Sequence, residues 1–194
     1  MTTLILQDGT RFTGQPFGAR SDTDGEVVFN TGMAGYPESM TDPSYRGQVL
    51  TFTYPLIGNY GVPSEELNEW GFSKNFESEA VHVRAVVCAQ VSDTYSHFAA
   101  VSSLDRWMAH HGIPGITGID TRALTKKLRE KGVMLGRIAQ EPNESKDAKE
   151  AKNIRDPNLD NLVAEVSCKA VHVYDPKPEI RNQKSENKLM TIVA

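Results

Sequence analysis

Side chains able to act as nucleophiles or proton carriers are sparse in this sequence. The two cysteines are Cys88 and Cys168. A cysteine attacks as its thiolate, which requires an electropositive, accessible setting. Both lie in apolar runs, so the expectation is buried thiols in a reducing compartment, neither disulfide-bonded nor catalytic. The five histidines are His82, His97, His110, His111 and His172. Their spacing matches no helical metal motif, and the adjacent His110 and His111 face different ways on a helix. They read as helix-end and surface histidines, with no metal site expected. No Gly-rich strand-to-helix loop is suited to cradling a phosphate. The stretch that stands out runs from Thr31 to Tyr45 and resumes from Tyr54 to Pro63. Tyr36, Tyr45, Tyr54 and Tyr60 lie within it, and Tyr95 lies in a loop of its own. Fixed loops of this kind present backbone polar groups outward and often form binding surfaces. They can equally serve only to cross the sheet and cap one another. Ser44, held behind Pro43, offers a hydroxyl that can both donate and accept.

Those loops need a scaffold, and the flanking sequence supplies one. Leu4 to Leu6 reads as a strand. Asp8-Gly9 signals a hairpin turn, with a return strand from Arg11 towards Phe17. Glu26 to Asn30 and Gln48 to Tyr54 are further strands. Val81 to Ala89 begins with alternation and becomes continuously apolar, as a strand entering a buried sheet does. A helix is expected from about Ser103 to His111, with Leu104, Trp107, Met108 and His111 on one face. Ser102 and Asp105 have the spacing of its capping box, and Gly112 marks its stop. After a strand from Ile113 to Ile119, a second helix runs from about Arg122 to Lys131. Asp120 or Thr121 caps it, Leu124 and Leu128 face inward, and Gly132 ends it. Val133 to Ile138 forms a closing strand.

Composition bounds the class. The 194 residues carry a net charge of −4 and no large basic block, which disfavours nucleic-acid binding. No apolar run approaches the roughly 20 residues of a membrane span. The N-terminus lacks the basic and apolar regions of a signal peptide, so a cytoplasmic location is expected. Charged residues make up half of residues 141–160, with no aromatic among them. Such a segment buries little apolar area and reads as a solvated linker. The sequence divides into a domain over 1–140, a charged linker with short structured segments over 141–187, and a terminal strand over 188–194. That last strand reads as the first of a further, truncated domain.

Several long motifs are similar to one family. Gly25 to Met33, Asp42-Pro43-Ser44-Tyr45, Thr53 to Gly61, Gly118 to Lys126, Leu128 to Gly132, Asp156-Pro157-Asn158 and Asn161 to Ser167 resemble the N-terminal domain of the glutamine-dependent carbamoyl-phosphate synthetase small subunit. The Tyr54 to Gly61 version looks most like that of the eukaryotic multifunctional pyrimidine-pathway polypeptides. The resemblance implies an α/β fold, specifically a layered β/β/α domain of swivelling type followed by a linker. It implies a part of the enzyme that makes carbamoyl phosphate from glutamine, bicarbonate and ATP, the first step of pyrimidine synthesis. By that resemblance Ser44 reaches the L-glutamine site. The partners implied are the glutaminase domain and the synthetase part of the same enzyme. ATP and Mg belong to the synthetase part, and this portion holds no cofactor and no catalytic residue. Lacking the nucleophile, base and oxyanion donors of acyl transfer, it is expected to be inactive alone. Alternatives are an arginine-pathway small subunit, a mitochondrial urea-cycle form, or a non-catalytic binding module for a synthetase partner.

Overall fold

The computed structural model describes residues 1–141, 149–150 and 153–171. The expected terminal strand over 188–194, His172 and much of the expected linker lie outside the described residues. In chain order the strands are β1 (Thr2–Leu6), β2 (Arg11–Gly18), β3 (Thr23–Asn30), β4 (Gln48–Phe52), β5 (Leu56–Ile57), β6 (Val62–Pro63), β7 (Ala85–Val87), β8 (Gln90–Val91), β9 (Ala100–Ser102), β10 (Pro114–Thr117) and β11 (Met134–Ala139). The α-helices are α1 (Tyr36–Thr41), α2 (Leu104–His110), α3 (Thr121–Lys131) and α4 (Leu162–Val166). The chain is thus mixed α/β with strands dominating.

Seven strands close into a barrel in the order β1-β11-β3-β4-β7-β10-β2. Local grammar starts it. Gly9 takes φ 87°, and the turn places Ile5 opposite Arg11 in an antiparallel β1–β2 pair. Such a φ is open to glycine and strained for residues with a Cβ. β3, β4, β7 and β10 then lie side by side and parallel. β11 inserts antiparallel between β1 and β3, which closes the ring and leaves no open edge among these strands.

Alternation along the strands divides the apolar residues between two cores. Leu4, Leu6, Val27, Val49, Ala85, Val87, Ile116 and Ile138 meet in one cluster. Leu124 and Leu128 of α3 join them from outside the sheet. Asp120 accepts from the Ala123 N–H at the start of α3 (2.9 Å), and Lys127 pairs with Asp8 at 2.8 Å, pinning the helix to the first hairpin. The intervening residues Leu50, Phe52, Val86 and Cys88 face the other way, into a cluster with Tyr36, Met40, Leu104, Trp107 and Met108. α1 and α2 therefore cover the outer face of β4 and β7.

Three expectations need correction. The strand expected over Val81–Ala89 is confined to Ala85–Val87. Upstream of it the backbone bonds to neighbours one at a time, His82 N–H to Met40 O and Arg84 N–H to Gln48 O. The cap of α2 is Ser103, whose side chain accepts from Arg106 N–H, while Ser102 ends β9. Cys168 lies on the surface rather than buried, whereas Cys88 is fully buried. Among the described residues no helix is long and apolar enough to cross a membrane.

Small residues let the barrel close tightly. A Cβ on Gly136 would sit 2.5 Å from Val27 Cγ2, with Leu4 and Leu6 also within 3.3 Å. Gly136→Ala is expected to lower stability by about 1–3 kcal/mol through overpacking. Urea denaturation should show a lower midpoint at unchanged slope; an unchanged midpoint would show that the barrel relaxes around the methyl group.

Candidate functional site

The two loop stretches singled out by composition leave β3 and β4 and meet over the outer core. Asn30, the last residue of β3, organises the first. Its Oδ1 accepts from Gly32 N–H at 2.6 Å, and its Nδ2 donates to Ser39 Oγ at 3.1 Å and Tyr45 Oη at 3.3 Å. Its backbone carbonyl accepts from both the N–H and the hydroxyl of Thr53, each at 3.0 Å, which fixes the second loop to the first.

Two tyrosines tie the loops together. Tyr36 and Tyr60 stack with ring centroids 4.2 Å apart. Tyr60 Oη accepts from the N–H groups of Gly35 (2.7 Å) and Tyr36 (3.1 Å). These are donors at the start of α1, which lack partners within the helix. Gly35 itself, at φ 82°, makes no side-chain cap, so a phenol from another loop does that work. In return Tyr36 Oη donates to Gly61 O at 2.8 Å. Of the five tyrosines singled out, Tyr36 is buried, Tyr45 and Tyr60 are half-buried, and Tyr54 and Tyr95 are exposed. Burial, reinforced by the neighbouring phenol, pushes Tyr36 above the ordinary tyrosine range; burial does the same to Tyr60.

Ser44 sits in a 3-10 turn over Pro43–Tyr45, between α1 and β4. Asp42 Oδ1 accepts from Ser44 N–H at 2.8 Å, and Asp42 O accepts from Tyr45 N–H at 3.0 Å. The turn is therefore fixed through its backbone. The Ser44 side chain is exposed, and among the described residues its hydroxyl makes no hydrogen bond. The serine is held in place while its hydroxyl stays exposed.

The corner after Ser44 has a support that sequence reading missed. Gly47 (φ 82°) leaves room for Pro157, whose Cβ lies 3.0 Å from where a glycine Cβ would stand. Arg46 Nε donates to Glu165 at 3.0 Å. Glu26, only 8% exposed, accepts from Gln48 Nε2 at 2.7 Å and from Asn158 Nδ2 at 3.0 Å. A carboxylate this buried needs such partners. Residues 154–166 thus return across the amino ends of β3 and β4 and brace the Ser44 corner from behind. Asp156-Pro157-Asn158 stood out in the sequence only as a motif of the family resemblance, and nothing local shows what it touches.

The remaining candidates are dispersed. Burial pushes the Cys88 thiol up to about 12, which makes it a poor thiolate at neutral pH. His111 Nε2 lies 2.6 Å from Glu65 Oε1, which also accepts from Trp107 Nε1 at 2.8 Å. His111 and Trp107 hold Glu65 below the usual carboxylate range. His82 Nε2 lies 3.0 Å from Ser78 Oγ, while His97 and His110 are exposed. Among the described residues no group of three His, Cys, Asp or Glu side chains could hold a metal ion.

The chain has clear relatives in sequence. Residues 4–138 match the family model described as carbamoyl-phosphate synthase small chain, CPSase domain. The chain belongs to that family. It is 50% identical over 181 residues to the multifunctional protein CAD of Squalus acanthias, covering 93% of this chain and 8% of that one. It is 46% identical over 206 residues to the multifunctional protein ura1 of Schizosaccharomyces pombe, covering 98% and 9%. It is 52% identical over 171 residues to the carbamoyl phosphate synthase arginine-specific small chain of Chaetomium globosum, covering 88% and 37%. The chain therefore spans less than a tenth of the multifunctional relatives and under two fifths of that small chain. Among solved structures, an aminopeptidase from Aneurinibacillus sp. strain AM-1 aligns over 71% of this chain and 30% of its own, at TM-score 0.36 and 14% identity, too distant to bear on function.

The tyrosine pair yields two expectations. Tyr60→Phe keeps the ring stack but leaves the Gly35 and Tyr36 N–H groups without their acceptor. It should cost about 1–3 kcal/mol, and hydrogen exchange at those two amides should accelerate; exchange unchanged from wild type would refute the capping role. The second concerns alkaline pH. Folding raises both phenol pKa values, so the unfolded chain releases protons first. The stability from this pair is fully present below about pH 10, the value of an unperturbed tyrosine. It is lost as pH rises through the higher folded values. Urea midpoints should fall above that pH, and fall less steeply in the Tyr36→Phe, Tyr60→Phe double variant.

Proposed function

We propose that this chain is the N-terminal part of a glutamine-dependent carbamoyl-phosphate synthetase, and that it contributes Ser44 to the L-glutamine site. The observation that carries the residue assignment is the Ser44 turn. Its backbone is fixed by Asp42, its corner is braced by residues 154–166, and its hydroxyl faces outward with no described partner. A substrate contact needs that combination of order and availability. In this reading Ser44 is a substrate-binding residue, and the bond-breaking machinery lies in a glutaminase domain outside the described residues. The reaction converts glutamine, bicarbonate and ATP to carbamoyl phosphate, with ATP and Mg held by the synthetase part.

We take residues 1–140 as the small-chain domain and 141–187 as a charged linker with short structured segments, of which 154–166 pack back onto the barrel; residues 188–194, expected to open a glutaminase domain, lie outside the described residues. Within this reading the domain is of the layered β/β/α, swivelling type, and the packing of α1 and α2 against the outer core is what supports it. The partners are the glutaminase domain and the synthetase part, and the location is the cytoplasm. Pyrimidine synthesis is favoured by the identity to multifunctional relatives over 93% and 98% of this chain. A second reading, the arginine-pathway small subunit, is supported by 52% identity to an arginine-specific small chain.

Ser44→Ala in the complete enzyme carrying this chain tests the assignment. Loss of one hydrogen bond to a charged substrate group should reduce glutamine-driven carbamoyl phosphate synthesis by about tenfold or more. Synthesis driven by added ammonia should be nearly unchanged. Equal loss with both nitrogen sources would overturn the assignment.

A further inference from the structure

The amino ends of the parallel strands enclose a cleft of about 280 Å³ that is separate from the tyrosine-lined loops. Thr23 opens β3, Arg46 lies just before β4, Arg84 just before β7, and Pro114 opens β10; all four residues line the cleft. Ser21, Asp22 and His82 complete its polar wall. Ligands of parallel sheets usually gather at the carboxyl ends of the strands. The sheet topology therefore does not by itself account for two arginines and a histidine at the opposite end.

Asp22, the one carboxylate in the cleft lining, is bonded to residues outside it: Oδ2 accepts from Arg137 Nη2 at 3.1 Å, and Oδ1 accepts from Gln140 N–H at 2.9 Å. Glu165 accepts from Arg46 through Nε alone, which leaves the two terminal nitrogens of that guanidinium for another acceptor. Arg84 is exposed and has no ion-pair or hydrogen-bond partner for its side chain among the described residues. His82 adds an unsatisfied atom. Ser78 Oγ has one proton and lies 2.7 Å from Thr41 O, to which it donates; it then accepts from His82 Nε2. His82 Nδ1, the lone-pair nitrogen of that tautomer, is left buried and without a hydrogen-bond partner, so it can donate to an anion only when the ring takes a second proton. A buried polar nitrogen without a partner is costly.

We propose that this cleft binds a small phosphate-class oxyanion, held between Arg46 and Arg84 with His82 in its wall. Planar guanidinium groups match the oxygens of phosphate in pairs, and two of them at one cleft form the usual recognition element for such a group. Ser21 and Thr23 add hydroxyls able to donate to the remaining oxygens. At about 30 Å³ per water molecule, the cleft has room for a small oxyanion and several waters. The site does not depend on the glutamine reading, because it uses neither Ser44 nor its hydroxyl.

Titration of the full 194-residue chain with inorganic phosphate, followed by calorimetry and by backbone amide shifts, tests this. Chloride at matched ionic strength serves as the control. Saturable binding is expected with phosphate, with shifts at His82 and Arg84. Arg84→Gln, an exposed substitution whose fold is checked by circular dichroism, should weaken binding by about tenfold or more, as loss of a charge-assisted pair does. Acetate should bind more weakly than phosphate. Ser44→Ala should bind phosphate as wild type does. Absence of saturation, an affinity unchanged in Arg84→Gln, acetate binding as tight as phosphate, or loss of binding in Ser44→Ala would each overturn the proposal.

Discussion

Burial of β4 and β7 on both faces is the constraint from which the rest of the molecule follows. Val49, Ala85 and Val87 point to one core, and Leu50, Phe52, Val86 and Cys88 to the other. A strand apolar on both faces is stable only with cover on each side. The closed barrel provides one cover, and α1 with α2 provides the other. α1 can lie there only if the chain leaving β3 crosses the outer face before re-entering as β4. That crossing is the loop that carries Ser44. The position of the candidate site is thus a by-product of how two hydrophobic strands are shielded from water.

The loops owe their order to polar contacts rather than to regular structure. Asn30 bonds to three residues of its own crossing, and its carbonyl holds Thr53 of the next. The Tyr36–Tyr60 pair combines ring stacking with capping of a helix start, so one interaction both fills the outer core and satisfies backbone donors. The corner at Gly47 is held from the opposite side by Pro157, Glu165 and Asn158. Ser44 therefore lies between two independently anchored structures, and its own environment requires few contacts.

Local features were legible in the sequence, and long-range ones were not. The Asp8-Gly9 turn, a cap at Asp120 or Thr121 (the structure settles on Asp120) and the Leu124 and Leu128 face of α3 are dictated by residues within a few positions of one another, and all are present. The apolar run at Val81–Ala89 misled about strand length, because its first half bonds singly to Met40 and Gln48 instead of forming a ladder. Ring closure was not readable, since β1 meets β11 across more than 130 residues, as in the pairing of Leu4 with Ile138. The same holds for Glu26, whose two partners lie 22 and 132 residues away. Cys168 looked buried from its apolar neighbours, yet α4 nearby buries none of its residues. The proposed role of Ser44 came from a resemblance; its fixed turn and exposed side chain came from the structure.

Insertion of β11 between β1 and β3 has a consequence for how the molecule is made. A ribosome delivers β1, β2, β3, β4, β7 and β10 before it delivers Met134–Ala139. Until then β1 and β3 each expose an edge of unpaired backbone groups, and the inner core is open to water along that seam. Unpaired edges invite pairing with other chains, and contacts of such sequence separation form slowly. The nascent chain therefore passes through an interval, several seconds long at about 5–20 residues per second, in which most of its sheet exists without its keystone strand.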